Sequence, residues 1–368
     1  MTIKAKRFMT HYLGLEIGSM KGALMRRTAQ FFLAILAGIF LLATAAPAQE
    51  QFFKDKRVRF VVGYPPGGGY DLAARIVARH MGKHIPGNPS IIVQNMPGGG
   101  SRIAANHINV AARPDGLTVG IWNSAFAMFH ALGDTGIKFD SRRVGWIGAS
   151  TKDTSACAIM GFTGHRTWKD VVDSGKELHF LSTAAGSISD DLPRILNLAA
   201  GTKLKITPGY AGTGPIILAL QRREGDGWCS GWLSIRANAR EMLAAKGDDQ
   251  LIPFIIHRPE PDAEVKGLPL IPKIIPSEEG RALYSAWASH LEFFRPFSVP
   301  PGVPLDRLQT LRRAFPQMFK DSQFLGDAKK VGLDVALTTG EEIDKLVIES
   351  HALSPALKEK LKFLIPGK

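Results

Sequence analysis

Two loops carry the residues best suited to chemistry. Tyr64-Pro65-Pro66-Gly67-Gly68-Gly69 and Asn95-Met96-Pro97-Gly98-Gly99-Gly100 each lie between a β-branched run and a helical pattern. Prolines and glycines in such a string exclude regular structure, so both must be loops. Glycine lets the backbone turn tightly and present N–H groups with no Cβ in the way. The first-turn N–H groups of a helix lack intrahelical acceptors, and the helix dipole adds positive character there. A carboxylate or phosphate suits that environment. Either loop alone could be no more than a tight turn. Two in consecutive units favour an anion site at the loops Pro65–Asp71 and Pro97–Ser101. Asp71 also has the ordinary role of a helix N-cap, and as an anion it would not face a carboxylate directly.

Two further segments offer donors. Ser182–Ser189 (STAAGSIS) is hydroxyl-rich and opens a helix, and Tyr210-Ala211-Gly212-Thr213-Gly214-Pro215 does the same with proline in the first turn. Each is either a donor-rich binding loop or a capped helix start.

Catalytic signatures do not emerge. The chain has no H-E-x-x-H, C-x-x-C, G-x-S-x-G or S-x-x-K, and neither glycine loop continues into a Walker lysine or the full G-x-G-x-x-G spacing. No cofactor, metal site or catalytic residue is expected. His80 and His84 have chelating i, i+4 spacing, but without a third ligand nearby they read as a packed or solvated face. Trp228 and Trp232 flank Cys229; Trp232 could line a cleft, although core packing is the ordinary role. Cys157 and Cys229 either pair, as an oxidising compartment permits, or remain buried thiols.

The elements that must position these loops follow from periodicity. Val58–Gly63, Ser90–Gln94 and Leu117–Trp122 read as strands, with helices over Asp71–His84 and Ser101–Ala112. A second series places strands at Cys157–Gly161, Leu178–Ser182 and Leu204–Pro208, and helices at Thr167–Gly175, Ile188–Ala200 and Pro215–Arg223. Residues 258–280, rich in proline and acidic residues, read as surface loop. Arg295–Val299 and helices from Pro304 and Gly340 close the chain. Alternating strands and helices predict α/β architecture, each lobe a mainly parallel sheet flanked by helices. Ligands of such sheets bind at the carboxyl ends of strands, where these loops lie. Two α/β lobes are expected, the second series beginning near residue 150.

The 368 residues are 45% hydrophobic and 21% charged, enough for two packed cores. Phe31–Ala46 is an uncharged apolar stretch behind Arg26-Arg27 and ahead of Ala46-Pro47-Ala48. This pattern predicts a signal peptide over 1–48, cleaved after Ala48, with Met25 a better start than Met1. The leader holds six basic residues against Glu16. It therefore carries five of the thirteen net positive charges, leaving +8 on residues 49–368. That excess is scattered, which argues against nucleic acid as a partner. A mildly positive field favours small anions.

These residues resemble a family. Val61–Asp71, Gln94–Gly100 and Arg113-Pro114-Asp115-Gly116 are similar to the opening motifs of tripartite tricarboxylate transporter receptors, the Bug-type periplasmic solute-binding proteins. Pro208–Pro215, Glu224–Gly227 and Val299–Pro304 resemble later segments of that family. The resemblance implies a two-lobed, type II-like periplasmic binding protein with its ligand cleft between the lobes, 49–150 plus 295–368 forming one lobe and 151–294 the other. It implies a binding role for Gly67, Gly68, Gly69, Tyr70, Asp71, Gly99 and Ser101, and more weakly for Ser187, Tyr210, Gly212 and Thr213. It implies a monomeric, non-enzymatic receptor that carries a small carboxylate to the membrane permease subunits of a tripartite transporter, or reports it to a sensor protein. The alternative is an exported α/β enzyme acting on an anionic substrate. Two departures bear on the ligand. Ala211 stands where many members have lysine, and Tyr70 replaces a smaller hydroxyl residue. Both shift expectation from a dicarboxylate toward a monocarboxylate or aromatic acid.

Overall fold

The structure is a computed structural model describing residues 52–152, 154–259 and 263–365. The expected export segment lies outside the described residues. Eleven strands among the described residues form two sheets. The first is ordered β11-β4-β10-β3-β1-β2. Its members are β1 (Arg57–Val62), β2 (Ser90–Asn95), β3 (Thr118–Ile121), β4 (Gly145–Thr151), β10 (Phe294–Val299) and β11 (Thr338–Thr339). The second is ordered β7-β6-β8-β5-β9. It contains β5 (Ser155–Met160), β6 (Leu178–Leu181), β7 (Leu204–Thr207), β8 (Gly227–Gly231) and β9 (Leu251–Ile256).

The helices used below are α1 (Gly69–Met81), α2 (Arg102–Asn106), α3 (Ala125–Ala131), α4 (Ile188–Ala200), α5 (Thr213–Gln221), α6 (Trp232–Asn238), α7 (Glu278–Ala288), α8 (Leu305–Met318), α9 (Ser322–Lys330) and α10 (Gly340–His351).

Both sheets are mixed. The β-loop-α units run parallel, β1 with β2 and β3, and β6 with β7 and β8. The strands next to the crossings between sheets run antiparallel: β10 with β3 and β4, and β5 with β8 and β9. The chain leaves the first sheet at Thr151 and enters the second at Ser155, then re-enters the first at Phe294.

Burial follows the expected periods. Along α1, Ala73, Ile76, Val77, His80 and Met81 are buried, the stripe a helix turns onto a sheet. Strand β4 is buried throughout, as a central strand covered on both faces must be. Trp122 packs edge-on to Phe139 and beside Trp146, anchoring the first core. The second core gathers Ala156, Ala158, Leu181, Ile216, Leu220, Trp228 and Trp232.

Three expectations change and one open question closes. The sheets are mixed rather than mainly parallel, because the strands at the crossings between them pair antiparallel. The helix expected over Ser101–Ala112 is split: a 3-10 turn over Gly99–Ser101, then α2, then a π-helical turn over His107–Ala111. Residues 258–280 are not simply surface loop. Val265, Ile271 and Ile275 are buried and pin the segment down ahead of α7. Cys157 and Cys229 face each other on β5 and β8 and form a disulfide.

Candidate ligand-binding cleft

The first loop is held by a carboxylate that points away from the cleft. Asp71 accepts hydrogen bonds from Gly67 N, Arg75 Nε and Asn95 Nδ2, each at 2.9 Å. Asn95 also donates to Tyr64 O at 2.8 Å, so both ends of the loop are tied to one hub. Burial would raise the Asp71 pKa, but the bonds from Arg75, Gly67 and Asn95 outweigh it and hold the group below its usual range. Gly67, at φ +85°, makes the turn.

The second loop is fixed differently. Ser101 is fully buried at φ +78°, and its Oγ accepts from Asn123 N at 3.0 Å. Tyr64 bridges the loops, its hydroxyl donating to Gly100 O at 3.2 Å and accepting from Asn123 Nδ2 at 3.3 Å. Burial pushes the Tyr64 pKa up to about 12, so the hydroxyl stays a neutral donor.

Across the cleft, Ser187 Oγ donates to Ala184 O at 2.6 Å and lies 2.9 Å from Ser189 Oγ. Asp191 accepts from Gly186 N at 2.9 Å and Trp287 Nε1 at 3.4 Å. Burial, with the neighbouring Asp190 charge second, raises the Asp191 pKa well above the usual value. Gly186 O in turn accepts from Asn123 Nδ2, a bond that joins the two lobes.

Between them lies a cavity of about 160 Å³. The first turns of three helices border it: Gly69 and Tyr70 of α1, Ile188 and Ser189 of α4, Thr213 and Gly214 of α5. Their N–H groups lack intrahelical acceptors, and three positive dipole ends converge on one space. Hydroxyls of Tyr64, Thr183, Ser230 and Ser234 and the amides of Asn123 and Asn238 add polar groups, while Trp228 and Phe294 supply apolar wall. No ionisable acid or basic residue of the Asp, Glu, Lys, Arg or His type borders it among the described residues. The buried Arg295 stands behind Tyr70, its guanidinium carbon 5.6 Å from the Tyr70 ring and its Nη1 donating to Thr151 Oγ1 at 3.1 Å.

The lobes meet through small residues. A Cβ on Gly212 would lie 3.0 Å from Pro65 Cγ, and one on Gly100 would lie 3.3 Å from Ala184 Cβ. Only side-chain-free backbone admits so close an approach.

The structure divides the sequence candidates. Gly68, Gly69, Tyr70, Ser187, Gly212 and Thr213 border this cavity. Gly99, Ser101 and Tyr210 border a neighbouring space, together with Ala211. Tyr64 and Thr183 border both. Gly67 and Asp71 border neither and instead shape the first loop. Sequence reasoning passed over Tyr64, Asn123, Thr183, Ser234, Asn238 and Phe294. Tyr64 and Thr183 sit inside loops already singled out, but nothing local marks the rest. Of the two tryptophans it is Trp228 that borders the cavity, whereas Trp232 packs in the second core. His80 and His84 face carboxylates of the α9 segment: His80 Nε2 lies 3.1 Å from Asp327 and His84 Nε2 3.4 Å from Asp321.

No family model matches the chain. An Agrobacterium vitis UPF0065 protein from the TAR-I ttuE-ttuC' intergenic region is 28% identical over 193 residues, 51% of this chain and 54% of that protein. Protein BugT of Bordetella pertussis is 26% identical over 204 residues, 51% of this chain and 59% of that protein. The chain spans about half the length of these curated relatives. The periplasmic binding protein BugD superposes with a TM-score of 0.64 at 18% identity, covering 85% of this chain and 98% of that one. MatC of Rhodopseudomonas palustris, solved with malate, gives 0.63 at 19% identity, covering 83% and 99%. A second R. palustris protein, solved with adipate, gives 0.65 at 15% identity, covering 84% and 97%.

The fold is that of a periplasmic binding protein. Over about half of its length the sequence is similar to BugT and the UPF0065 proteins.

Proposed function

We propose that this protein is an extracytoplasmic receptor that closes its lobes over a small carboxylic acid and presents it to the permease of a tripartite transporter. One observation carries the reading: three helix N-termini converge on an interlobe cavity with no ionised side chain in its wall. A carboxylate there would accept backbone N–H groups of α1, α4 and α5, each bond strengthened by its charge. The wall supplies no cation for a second carboxylate, while Trp228, Tyr70 and Phe294 offer apolar surface to the rest of the ligand. We therefore favour a compact monocarboxylate with an apolar body over a tricarboxylate. Export to the periplasm accords with the leader pattern and the disulfide.

Isothermal titration of mono-, di- and tricarboxylates tests this, with thermal melting as the first screen. A ligand at 100 times its Kd should stabilise by about 2.7 kcal/mol. Binding of a monocarboxylate that is lost on Ser234→Leu or Thr213→Val supports the reading. Binding of no acid by folded, ligand-stripped protein sinks it, as does catalytic turnover of the bound acid.

A further inference from the structure

Outside the cleft, three metal-ligating side chains converge from distant parts of the chain. His130 lies near the end of α3, Asp140 caps the 3-10 turn Ser141–Arg143, and His351 ends α10. His130 Nδ1 lies 3.3 Å from His351 Nε2 and 3.7 Å from Asp140 Oδ1. One ligand atom from each of the three falls within 4.8 Å of the others. Ser141 Oγ completes the group, 3.1 Å from His130 Nδ1 and 3.0 Å from His351 Nε2. The imidazole planes are inclined at 59°, so nitrogen faces nitrogen and the rings do not stack.

Those spacings match a metal's coordination shell. A tetrahedral zinc with bonds of about 2.05 Å requires donor-to-donor edges of roughly 3.3 Å. The imidazole pair already spans that edge, the His130–Asp140 pair exceeds it by a few tenths of an ångström, and His351 and Asp140 lie within 4.8 Å of each other. Two imidazoles and one carboxylate suit zinc better than magnesium or calcium, which prefer all-oxygen shells. The carboxylate is also held in place: Oδ1 accepts from Arg142 N and Nε at 2.9 and 3.0 Å, and Oδ2 from Nη2 at 2.8 Å. Arg142 is 55% exposed, so its charge is screened by solvent and its side chain is free to turn outward.

We propose that His130, Asp140 and His351 form a zinc site on the first lobe, with Ser141 Oγ or a water as fourth donor. None of the four residues borders the cleft cavity or its neighbour. The ion would clip α10, part of the segment that returns from the second sheet, to the α3 turn. The other histidine-carboxylate group makes an internal control. Among the described residues, His80, His84, Asp321 and Asp327 do not bring three ligand atoms within 4.8 Å of one another, as the proposed site does.

Calorimetric titration of zinc into chelator-treated protein tests the site, with cobalt(II) absorption reporting tetrahedral geometry. One zinc per chain at micromolar affinity is expected, with a rise in melting temperature. His130→Gln and His351→Gln should each weaken binding at least tenfold and remove that rise, Asp140→Asn should weaken it less, and His84→Gln should leave it intact. Circular dichroism checks that each variant is folded, and three independent ligand variants protect the test against loss of one. No binding at micromolar zinc overturns the proposal. So does binding unchanged in folded His351→Gln, or binding that His84→Gln abolishes. Acid binding in the cleft is read separately, so either result leaves the receptor reading to its own test.

Discussion

Gly212→Val isolates lobe closure from folding. Gly212 is extended, with φ 172° and ψ −166°, a conformation valine adopts without strain. The obstacle is therefore across the cleft. The new Cβ would lie 3.0 Å from Pro65 Cγ and 3.2 Å from Cδ, and valine adds two methyls beyond it. Overpacking of this kind costs about 1–3 kcal/mol where the surroundings cannot move. On the proposed closure they can, because Gly212 precedes α5 beside the second sheet and Pro65 follows β1 of the first, and the two would part as the cleft opens. The cost then falls on the closed, ligand-bound state. At about 1.4 kcal/mol per factor of ten, affinity should drop roughly 5- to 150-fold. Calorimetric titration of the acid found in the screen measures the loss, and thermal melting without ligand measures the fold. Gly212→Ala, which adds the Cβ alone, should fall between the two. Unchanged affinity in the valine variant would refute the closure argument. A ligand-free melting temperature that falls as far as the affinity predicts would place the clash within the fold and refute it equally.

Other outcomes follow from the loops and the disulfide. Asp71→Asn removes a buried anion that orders residues 64–67 and should destabilise the protein by about 1–3 kcal/mol at neutral pH. The folded pKa of Asp71 is depressed, so its stabilisation is present above the ordinary carboxylate pKa and is lost as pH falls through the folded value. The melting-temperature gap between wild type and variant should therefore narrow below about pH 4. Asp191 has the opposite sign. Its folded pKa is raised, so the neutral form's stabilisation is complete below the ordinary carboxylate pKa and is lost as pH rises through the folded value. Wild type should lose ground to Asp191→Asn as pH rises above the ordinary carboxylate range, a trend that melting curves over a pH series would show or deny. The Cys157–Cys229 bond spans 72 residues, and closing a loop of that length is worth about 4 kcal/mol by chain entropy. Cys157→Ser with Cys229→Ser should lower the denaturation midpoint of the oxidised protein and remove its response to reductant.

How much was legible in the sequence depended on the range of the interaction. The β1 and β2 units read well because strand, loop and helix are adjacent and their periods change where glycine and proline intervene. Helix α4 was legible from residue 188 to 200 for the same reason. Strands β4 and β9 were missed. β4 is buried on both faces and β9 (LIPFII) is apolar at every position, so no polar–apolar alternation marks them. The π-turn after α2 has no local signal either, since Ile103, Ala104 and Ile108 suit a regular helix.

By itself the sequence determined the class of site: glycine loops ahead of helices can present N–H groups to an anion wherever they fold. Tertiary structure decided which of those loops share a space. It turned Asp71 inward onto Gly67 and Arg75, brought Gly212 against Pro65, and placed Asn123 of the first lobe on Gly186 of the second. It also set Cys157 opposite Cys229 and His130 beside His351, pairs separated by 72 and 221 residues. The physical reason is common to all of these. Helix ends and turns arise from neighbours along the chain, whereas strand register and lobe contact arise from burying surfaces that one linear segment does not contain.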